Sequence, residues 1–550
     1  MEQDEQKKVE RFVGRARKVA EAVSAFPGEI WVAPHYDCDG ISAAAVLGRA
    51  LQRAGKRFRI RFLPRVSAEG LREIAESGCR LVIFLDIGSG YLEGIQKALV
   101  DNGCRVVVCD HHQPVGEVRS GQLMHLNPLE DGIAANISGA GVSYVLARAM
   151  SPENRDLAAF AIVGAIGDAQ VGSLGADWGL FGLNKEMVKD AEGAGKLRAG
   201  KGLRLWGRYG RPLHKAIEWS DELAVPNVSE SESLCVQFLK ELGIPLQRED
   251  GGWRTLAELS VEEQQRLAAG IIKERVAAGL ENPDWIFGDV YELCGMALPD
   301  ANEFSTALNA CGKTGSPWKG VAACWDSGGG IEETKERYRK QLGAAFRWLS
   351  KEARKLDAAN EGGSGPRQAG DGAVKKLAGA NAVFAGAKVS EHLLSNAASM
   401  LHRSGVLPDK ALIAFADAEG GMCKVSARAS DKLVAAGVDL SKAIAAAARH
   451  CGGQGGGHKG AAGATIPKGA EEQFLEVAVA VLGQQVALLK APVHERGDGK
   501  ARDSSGAAAE SEGRSEAGGG AAQAIRAAAG RGAGAGKKVE RQGLVQYFGS

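Results

Sequence analysis

The chain has 550 residues, 45% hydrophobic and 25% charged, which is enough for two to four domains with buried cores. Its formal net charge of +1 means that any polyanionic partner must be met by local patches rather than by bulk charge. Ten scattered cysteines with no C-x-x-C pair exclude a disulfide framework and a closed thiolate zinc site, and they fit a reducing cytoplasm. The start, MEQDEQKKVERF, lacks the apolar core of a signal peptide, and no run reaches the roughly 18 apolar residues of a membrane span, so no membrane partner is expected.

The first 175 residues alternate short apolar runs with helical patterns. EIWVAPH (29–35) predicts a strand that runs into His35-Tyr36-Asp37-Cys38-Asp39-Gly40. ISAAAVLGRALQRAG (41–55) predicts a helix closed by Gly55, and KRFRIRFLP (56–64) a further strand. CRLVIFLD (79–86) predicts a strand ending at Asp86. CRVVVCD (104–110) predicts another, which ends in Asp110-His111-His112 before Pro114. Helical patterns follow at 141–150 and 156–167, and Asp168 stands at the polar end of the apolar run AIVGAIGDAQ. Strands alternating with helices imply an α/β, doubly wound parallel sheet, whose ligands bind at the carboxyl ends of the strands.

Residues 176–375 are less regular and serve as an insert with connecting helices. The clearest is 331–356, where Ile331, Tyr338, Leu342, Ala345 and Leu349 trace an apolar stripe, and EGGSGPRQAGDG (361–372) has the composition of a linker. A smaller α/β domain is predicted over 376–485. Residues 486–539, rich in Gly, Ala and Ser, are expected to be a disordered linker, and 540–550 turn apolar again.

Four apolar segments thus deliver an acid or an imidazole at one end, and in a parallel sheet those ends share an edge. Clustered carboxylates repel one another unless a cation lies between them. Hard oxygen ligands with one or two imidazoles suit Mn²⁺ or Mg²⁺, and this many donors fits two ions. Asp37 and Asp39 alternate along an extended segment and point the same way.

HYDCDG, FLDIG, CDHH and GAIGDA, in this order, resemble the four motifs of the DHH phosphoesterase superfamily. The resemblance implies metal ligation by Asp37, Asp39, Asp86, His111 and Asp168, with His35 added. It implies phosphate contact by His112, and orientation of the imidazoles by Asp110. GGGHKGAAG (455–463) is similar to the signature of the DHH-associated domain, and CKVSAR (423–428) to its matching strand. Together they imply substrate-binding roles for Arg428, Gly456, Gly457 and His458. The glycine run is no Walker loop, because no Gly-Lys-Ser/Thr follows at the required spacing. Gly312-Lys313-Thr314 has Ala307 where that motif needs glycine.

EFSTALNACGKTG (303–315) further resembles archaeal RecJ-like proteins, for which association with the GINS helicase complex is the implied partnership. The expected function is a metal-dependent exonuclease on single-stranded DNA or RNA, 5′→3′ by resemblance, in DNA replication or repair. The alternatives are a phosphoesterase of short oligonucleotides, dinucleotides or nucleoside bisphosphates, and a replisome scaffold. At the end of the chain, Leu544, Tyr547 and Phe548 are spaced as in the peptide that binds the sliding clamp PCNA. Arg541 stands where that peptide favours Gln.

Overall fold

The structure is a computed structural model that describes residues 2–490 apart from 118–119, 134–136, 173–178, 221–224, 230, 281, 327–329, 361–373 and 378. The elements of the first unit, which ends at Lys335, open with α1 (Glu2–Ala25), β1 (Ile30–Pro34), α2 (Cys38–Arg53), β2 (Phe58–Ile60), α3 (Ala68–Glu76) and β3 (Leu81–Leu85). There follow α4 (Leu92–Ala98), β4 (Arg105–Cys109), β5 (Leu123–Leu126), α5 (Gly139–Met150), α6 (Ala158–Gly167) and α7 (Gly182–Gly193). Then come β6 (Leu197–Leu203), α8 (Leu213–Glu218), α9 (Glu232–Glu241), α10 (Val261–Ala277), β7 (Phe287–Leu293), α11 (Ala301–Lys313) and α12 (Pro317–Trp325).

β1 to β5 form one parallel sheet in the order β2-β1-β3-β4-β5. The strand residues β1 IWVAP and β3 LVIFL are buried throughout, as parallel strands covered on both faces must be. On one face Val32, Ile83 and Val107 meet apolar residues of α1, α2, α5, α6 and α11. On the other, Trp31, Phe84 and Val106 meet Leu71 and Ile74 of α3 and Leu92 and Ile95 of α4. Strand order reverses between β1 and β3, and at such a switch point the connections leave in opposite directions and open a crevice beyond the carboxyl ends. The antiparallel pair β6–β7 and helices α8 to α10 enclose a separate apolar cluster, with Phe238, Leu256, Leu267 and Ile271 in it.

The second unit begins at Glu336, within α13 (Glu332–Asn360). It continues through β8 (Val374–Lys376), β9 (Ala380–Gly386), α14 (Glu391–Arg403), β10 (Ala411–Ala418), β11 (Met422–Arg428), α15 (Asp431–Ala435), α16 (Leu440–His450), β12 (Gln454–Gly457), β13 (Ala461–Pro467) and α17 (Glu471–Lys490). Its six strands form a mixed sheet in the order β12-β13-β11-β10-β9-β8. α13 and α14 pack on one face of it, and α16 and α17 on the other. The expectation of an α/β chain with a parallel sheet and a second, smaller sheet domain holds. No helix among the described residues is long and apolar enough to cross a membrane.

Candidate metal centre

At the switch point the strand ends bring the acids together. His35 follows β1 and its amide donates to the Leu85 carbonyl of β3 (3.0 Å). Asp37 caps α2 by accepting from the Gly40 amide (3.1 Å), and its other oxygen lies 3.0 Å from His35 Nδ1. This tight turn requires glycine at position 40, because a Cβ there would lie 2.2 Å from the His35 carbonyl oxygen. Asp39, in the first turn of α2, is buried and accepts from two amides at the start of α5, Gly139 (2.6 Å) and Ala140 (2.9 Å). Bare amides at a helix N-terminus suit a buried carboxylate.

Asp86 ends β3 in the left-handed region (φ +58°), which Asp tolerates better than most residues. Its Oδ2 lies 3.6 Å from His35 Nδ1 and its Oδ1 3.4 Å from His111 Nε2. His111 Nε2 is also 3.6 Å from Asp168 Oδ2 and 3.9 Å from Asp39 Oδ2. Asp168 ends a helix rather than a strand, as the helical pattern over 156–167 implies. It is the residue after α6, and Ala169 next to it also has positive φ (+55°). The Gln170 amide nitrogen holds Asp168 Oδ2 at 2.9 Å, and Gln170 is itself bonded by Asn184 of α7 (2.7 Å).

Asp110 is a receptor for four donors. Its Oδ2 accepts from the Ser89 amide (2.8 Å), and its Oδ1 accepts from the amides of His111 (2.8 Å) and His112 (3.2 Å) and meets His112 Nδ1 at 2.7 Å. His112 is the outward member of the cluster, with 56% of its side chain exposed against 1% for Asp110.

Electrostatics follow this packing. Burial and the charges of Asp86 and Asp168 push Asp39 well above the usual carboxylate range. Burial opposes the charge on His35, but Asp37 and Asp86 outweigh it and hold the imidazole well above its ordinary value. Burial likewise opposes the charge on His111, but Asp86, Asp39 and Asp168 raise it to about 10. Burial is overcome again at Asp110, where His112 and the backbone amides hold the carboxyl well below its usual range. The acids thus draw the His35 and His111 imidazoles toward their charged form.

A metal ion fits the same place. Among the described residues, His35, Asp37 and Asp86 form one set of converging donors, and Asp39, His111 and Asp168 another. A third comprises Asp86, Asp110, His111 and His112. Asp86 Oδ1 and His111 Nε2 are buried with no hydrogen-bond partner, an arrangement that costs free energy unless another group engages both. Every donor is oxygen or imidazole nitrogen, the set that suits Mn²⁺ or Mg²⁺.

Three segments match family models: 29–165 the DHH family, N-terminal domain, 205–285 the DHH-CID domain, and 375–484 the DHHA1 domain. An uncharacterized protein of Methanocaldococcus jannaschii is 30% identical over 468 residues, 84% of this chain and 94% of that one. The single-stranded-DNA-specific exonuclease RecJ of Thermus thermophilus is 28% identical over 211 residues, 36% of this chain and 30% of that enzyme. The chain belongs to the DHH superfamily and is RecJ-like.

Among solved structures, T. thermophilus RecJ in complex with Mn²⁺ is similar with a TM-score of 0.49 and 18% identity, over 86% of this chain but only 55% of that one. CDC45 from Entamoeba histolytica has a TM-score of 0.50 and 12% identity, over 88% and 99% of the two chains, which is a likeness of fold.

In the second unit of this DHH protein, the glycine-rich run forms β12 and a tight turn into β13. A Cβ at Gly457 (φ +141°) would lie 2.6 Å from the Ala461 carbonyl oxygen, so the hairpin needs glycine there. Gly456 and His458 are exposed, and the His458 amide donates to Ala461 (2.8 Å). Arg428, on β11, pairs in register with Ala461 and so lies at the same end of the sheet. Its guanidinium is occupied: Nε donates to Ser399 Oγ (2.7 Å), and the terminal nitrogens bond Ser395 of α14 and the Ala427 carbonyl. Leu544, Tyr547 and Phe548 lie outside the described residues.

The sequence reading passed over Ser89, His125, Asn127 and Gln170, which hold the cluster from behind. It also found nothing specific in the segment that matches the DHH-CID domain. The signal for the first group was His125 within the short run LMHL and Asn127 just after it, a run too brief to mark a strand by itself.

Proposed function

We propose that this DHH protein is a divalent-metal-dependent phosphodiesterase that removes nucleotides from the 5′ end of single-stranded DNA or RNA. The observation that carries the reading is the pair of buried ligand atoms without a hydrogen bond, Asp86 Oδ1 and His111 Nε2, 3.4 Å apart at the meeting point of six acids and imidazoles. His35, Asp37 and Asp86 would hold one Mn²⁺ or Mg²⁺, and Asp39, His111 and Asp168 a second, with Asp86 serving both. Bound there, the ions supply positive charge for the developing phosphoryl negative charge and make water nucleophilic at neutral pH.

The residues of this chain do the rest. Asp110 holds the Nδ1 proton of His112, so Nε2 faces outward. Burial lowers the affinity of that ring for a proton, but Asp110 more than offsets it, and His112 stays above its ordinary value. A charged His112 donates a charge-assisted bond to a phosphate oxygen. Gly456, Gly457, His458 and Arg428 in the second unit grip the strand. The test is digestion of end-labelled single-stranded DNA and RNA with Mn²⁺, Mg²⁺ or a chelator, beside dinucleotides. Stepwise shortening of the strands from the 5′ end supports the reading. Cleavage of dinucleotides alone moves the protein to the small-substrate class, and no cleavage with either metal leaves the scaffold. Docking partners proposed alongside are a GINS-type complex and, through 540–550, the clamp PCNA. Clamp affinity that does not fall when the chain is cut after Glu540 removes the second.

A further inference from the structure

Behind the Asp110-His111-His112 loop runs a chain of side chains, buried from Asn127 to His125, that reaches the N-terminal helix through Glu130 and Arg15, and its hydrogen bonds fix where each proton lies. Asn127 Oδ1 accepts from the Leu129 amide (3.0 Å), which sets the orientation of its side-chain amide. Asn127 Nδ2 therefore donates, and it does so twice, to the His112 carbonyl (2.8 Å) and to Ser89 Oγ (3.0 Å). Ser89 Oγ has one proton to give, and its other partner is His125 Nε2 at 2.8 Å. His125 Nε2 is then the acceptor, and the ring proton sits on Nδ1, which donates to Glu130 Oε1 at 2.6 Å. Glu130 is paired with Arg15 of α1, which also bonds Asp131 (2.9 Å). Arg15 thus balances the Glu130 charge from the side away from the ring. The Ser89, Asn127 and His125 side chains are buried, so water cannot replace a lost link.

We propose that Arg15, Glu130, His125, Ser89 and Asn127 form a positioning chain for His112, with His125 held as the Nδ1–H tautomer. It acts on the loop at two points. Asn127 carries the His112 carbonyl, and Ser89, seated by the chain, gives its amide to the Asp110 carboxylate that aims the His112 ring. Arg15 lies ahead of residue 29, where the similarity to the DHH family begins, so the machinery includes a helix outside the family-matched segment. The inference rests on the nuclease reading for its consequence, though not for the tautomer.

Glu130→Gln is the decisive variant because it changes no shape. Arg15, which can only donate, takes the glutamine oxygen at the Oε2 position, so the amide NH2 faces Nδ1 and the ring proton moves to Nε2. Ser89 Oγ then receives two donors and its own proton has no acceptor. Cleavage should fall about tenfold or more in kcat, with KM for the strand and Mn²⁺ affinity unchanged. His125→Gln, whose amide oxygen can accept from Ser89 where Nε2 did, should stay within about threefold of wild type, whereas His125→Ala should match Glu130→Gln. Long-range ¹H–¹⁵N spectra of ¹⁵N-histidine-labelled protein, with His125 assigned by its loss in His125→Gln, should show Nδ1–H in wild type and Nε2–H in Glu130→Gln. A wild-type Nε2–H ring, or kcat within twofold of wild type for Glu130→Gln, would overturn the proposal. Should wild type cleave nothing, the nuclease reading fails, while the tautomer still decides whether the chain is wired as described.

Discussion

Gly164→Ala adds one methyl group beneath the metal centre. A Cβ at position 164 of α6 would come 2.4 Å from Asp39 Oδ1 and 2.5 Å from the Ala140 Cβ, where ordinary contact begins at 3.4 Å. Asp39 and the start of α5 must therefore retreat by about 1 Å, and overpacking of this kind costs about 1–3 kcal/mol. Asp39 cannot move alone, because both its oxygens are held by amides of α5. Leaving one of those buried groups without its hydrogen bond costs about 1–3 kcal/mol. Replacing a helical glycine by alanine returns no more than about 1 kcal/mol. We expect a net loss of about 1–3 kcal/mol in the metal-free protein. With Asp39 displaced from His111 and Asp168, Mn²⁺ affinity should fall about 10–100-fold. Gly14→Ala is the control. It lies on α1 with nothing within 4 Å of its Cβ position, and it should gain about 0.5–1 kcal/mol with Mn²⁺ affinity unchanged. Calorimetric Mn²⁺ titration and thermal unfolding with and without Mn²⁺ read both effects. Wild-type Mn²⁺ affinity in a folded Gly164→Ala protein would refute the assignment of Asp39 to the centre.

Asp86→Asn keeps a side chain that tolerates the left-handed backbone and removes the charge shared by two donor sets; cleavage should fall at least about 100-fold while the metal-free protein melts no lower than wild type. Near-native turnover in that variant would mean that Asp86 holds no ion. His111, ordinarily 6.5, stands at about 10 in the fold, so its contribution to the metal-free protein is complete below pH 6.5 and is lost as pH rises through 10. An ion must displace that proton. Mn²⁺ affinity should therefore rise about tenfold per pH unit between 7 and 9, and titration in buffers of different ionisation heat should count about one proton released. In the second unit, His458→Ala should weaken strand binding without lowering the melting temperature, whereas Arg428→Ala should lower both, because its guanidinium ties β11 to α14. Equal melting temperatures for the two would show that Arg428 is free for the strand.

Most of the centre was legible because parallel strands carry their message at one end. Buried runs such as LVIFL and VVVC admit no polar residue until the strand stops, so Asp86 and Asp110 stood out. Asp168 stood out as the polar stop of AIVGAIG, within the helical pattern over 156–167 that α6 follows. That a helix end, and not only strand ends, meets the sheet edge depends on how α6 packs, which the pattern does not encode. Ser89 was illegible as a partner of His125 and Glu130, since it lies 36 residues before His125 and meets it only through the pairing of β3 with β4 and of β4 with β5. The glycine-rich run could be read as an ordered turn, but its role as an exposed edge strand depends on pairing with β13, which composition does not encode. Arg428 was visible as a basic residue ending a strand. The two serines that occupy it belong to a helix some thirty residues earlier.

The N-terminal helix has a practical bearing on how the protein can be cut. Phe12, Val13, Ala16 and Val23 of α1 are almost wholly buried in the same cluster as the parallel sheet. A fragment started at Glu29, where family similarity begins, would strip that cover from its neighbours in the cluster. Each large apolar side chain so removed forgoes about 1.5–3 kcal/mol of burial, and the exposed face would promote self-association. The limits of recognisable kinship and the limits of an independently folding piece are different lines on this chain, and expression of the first unit should respect the second.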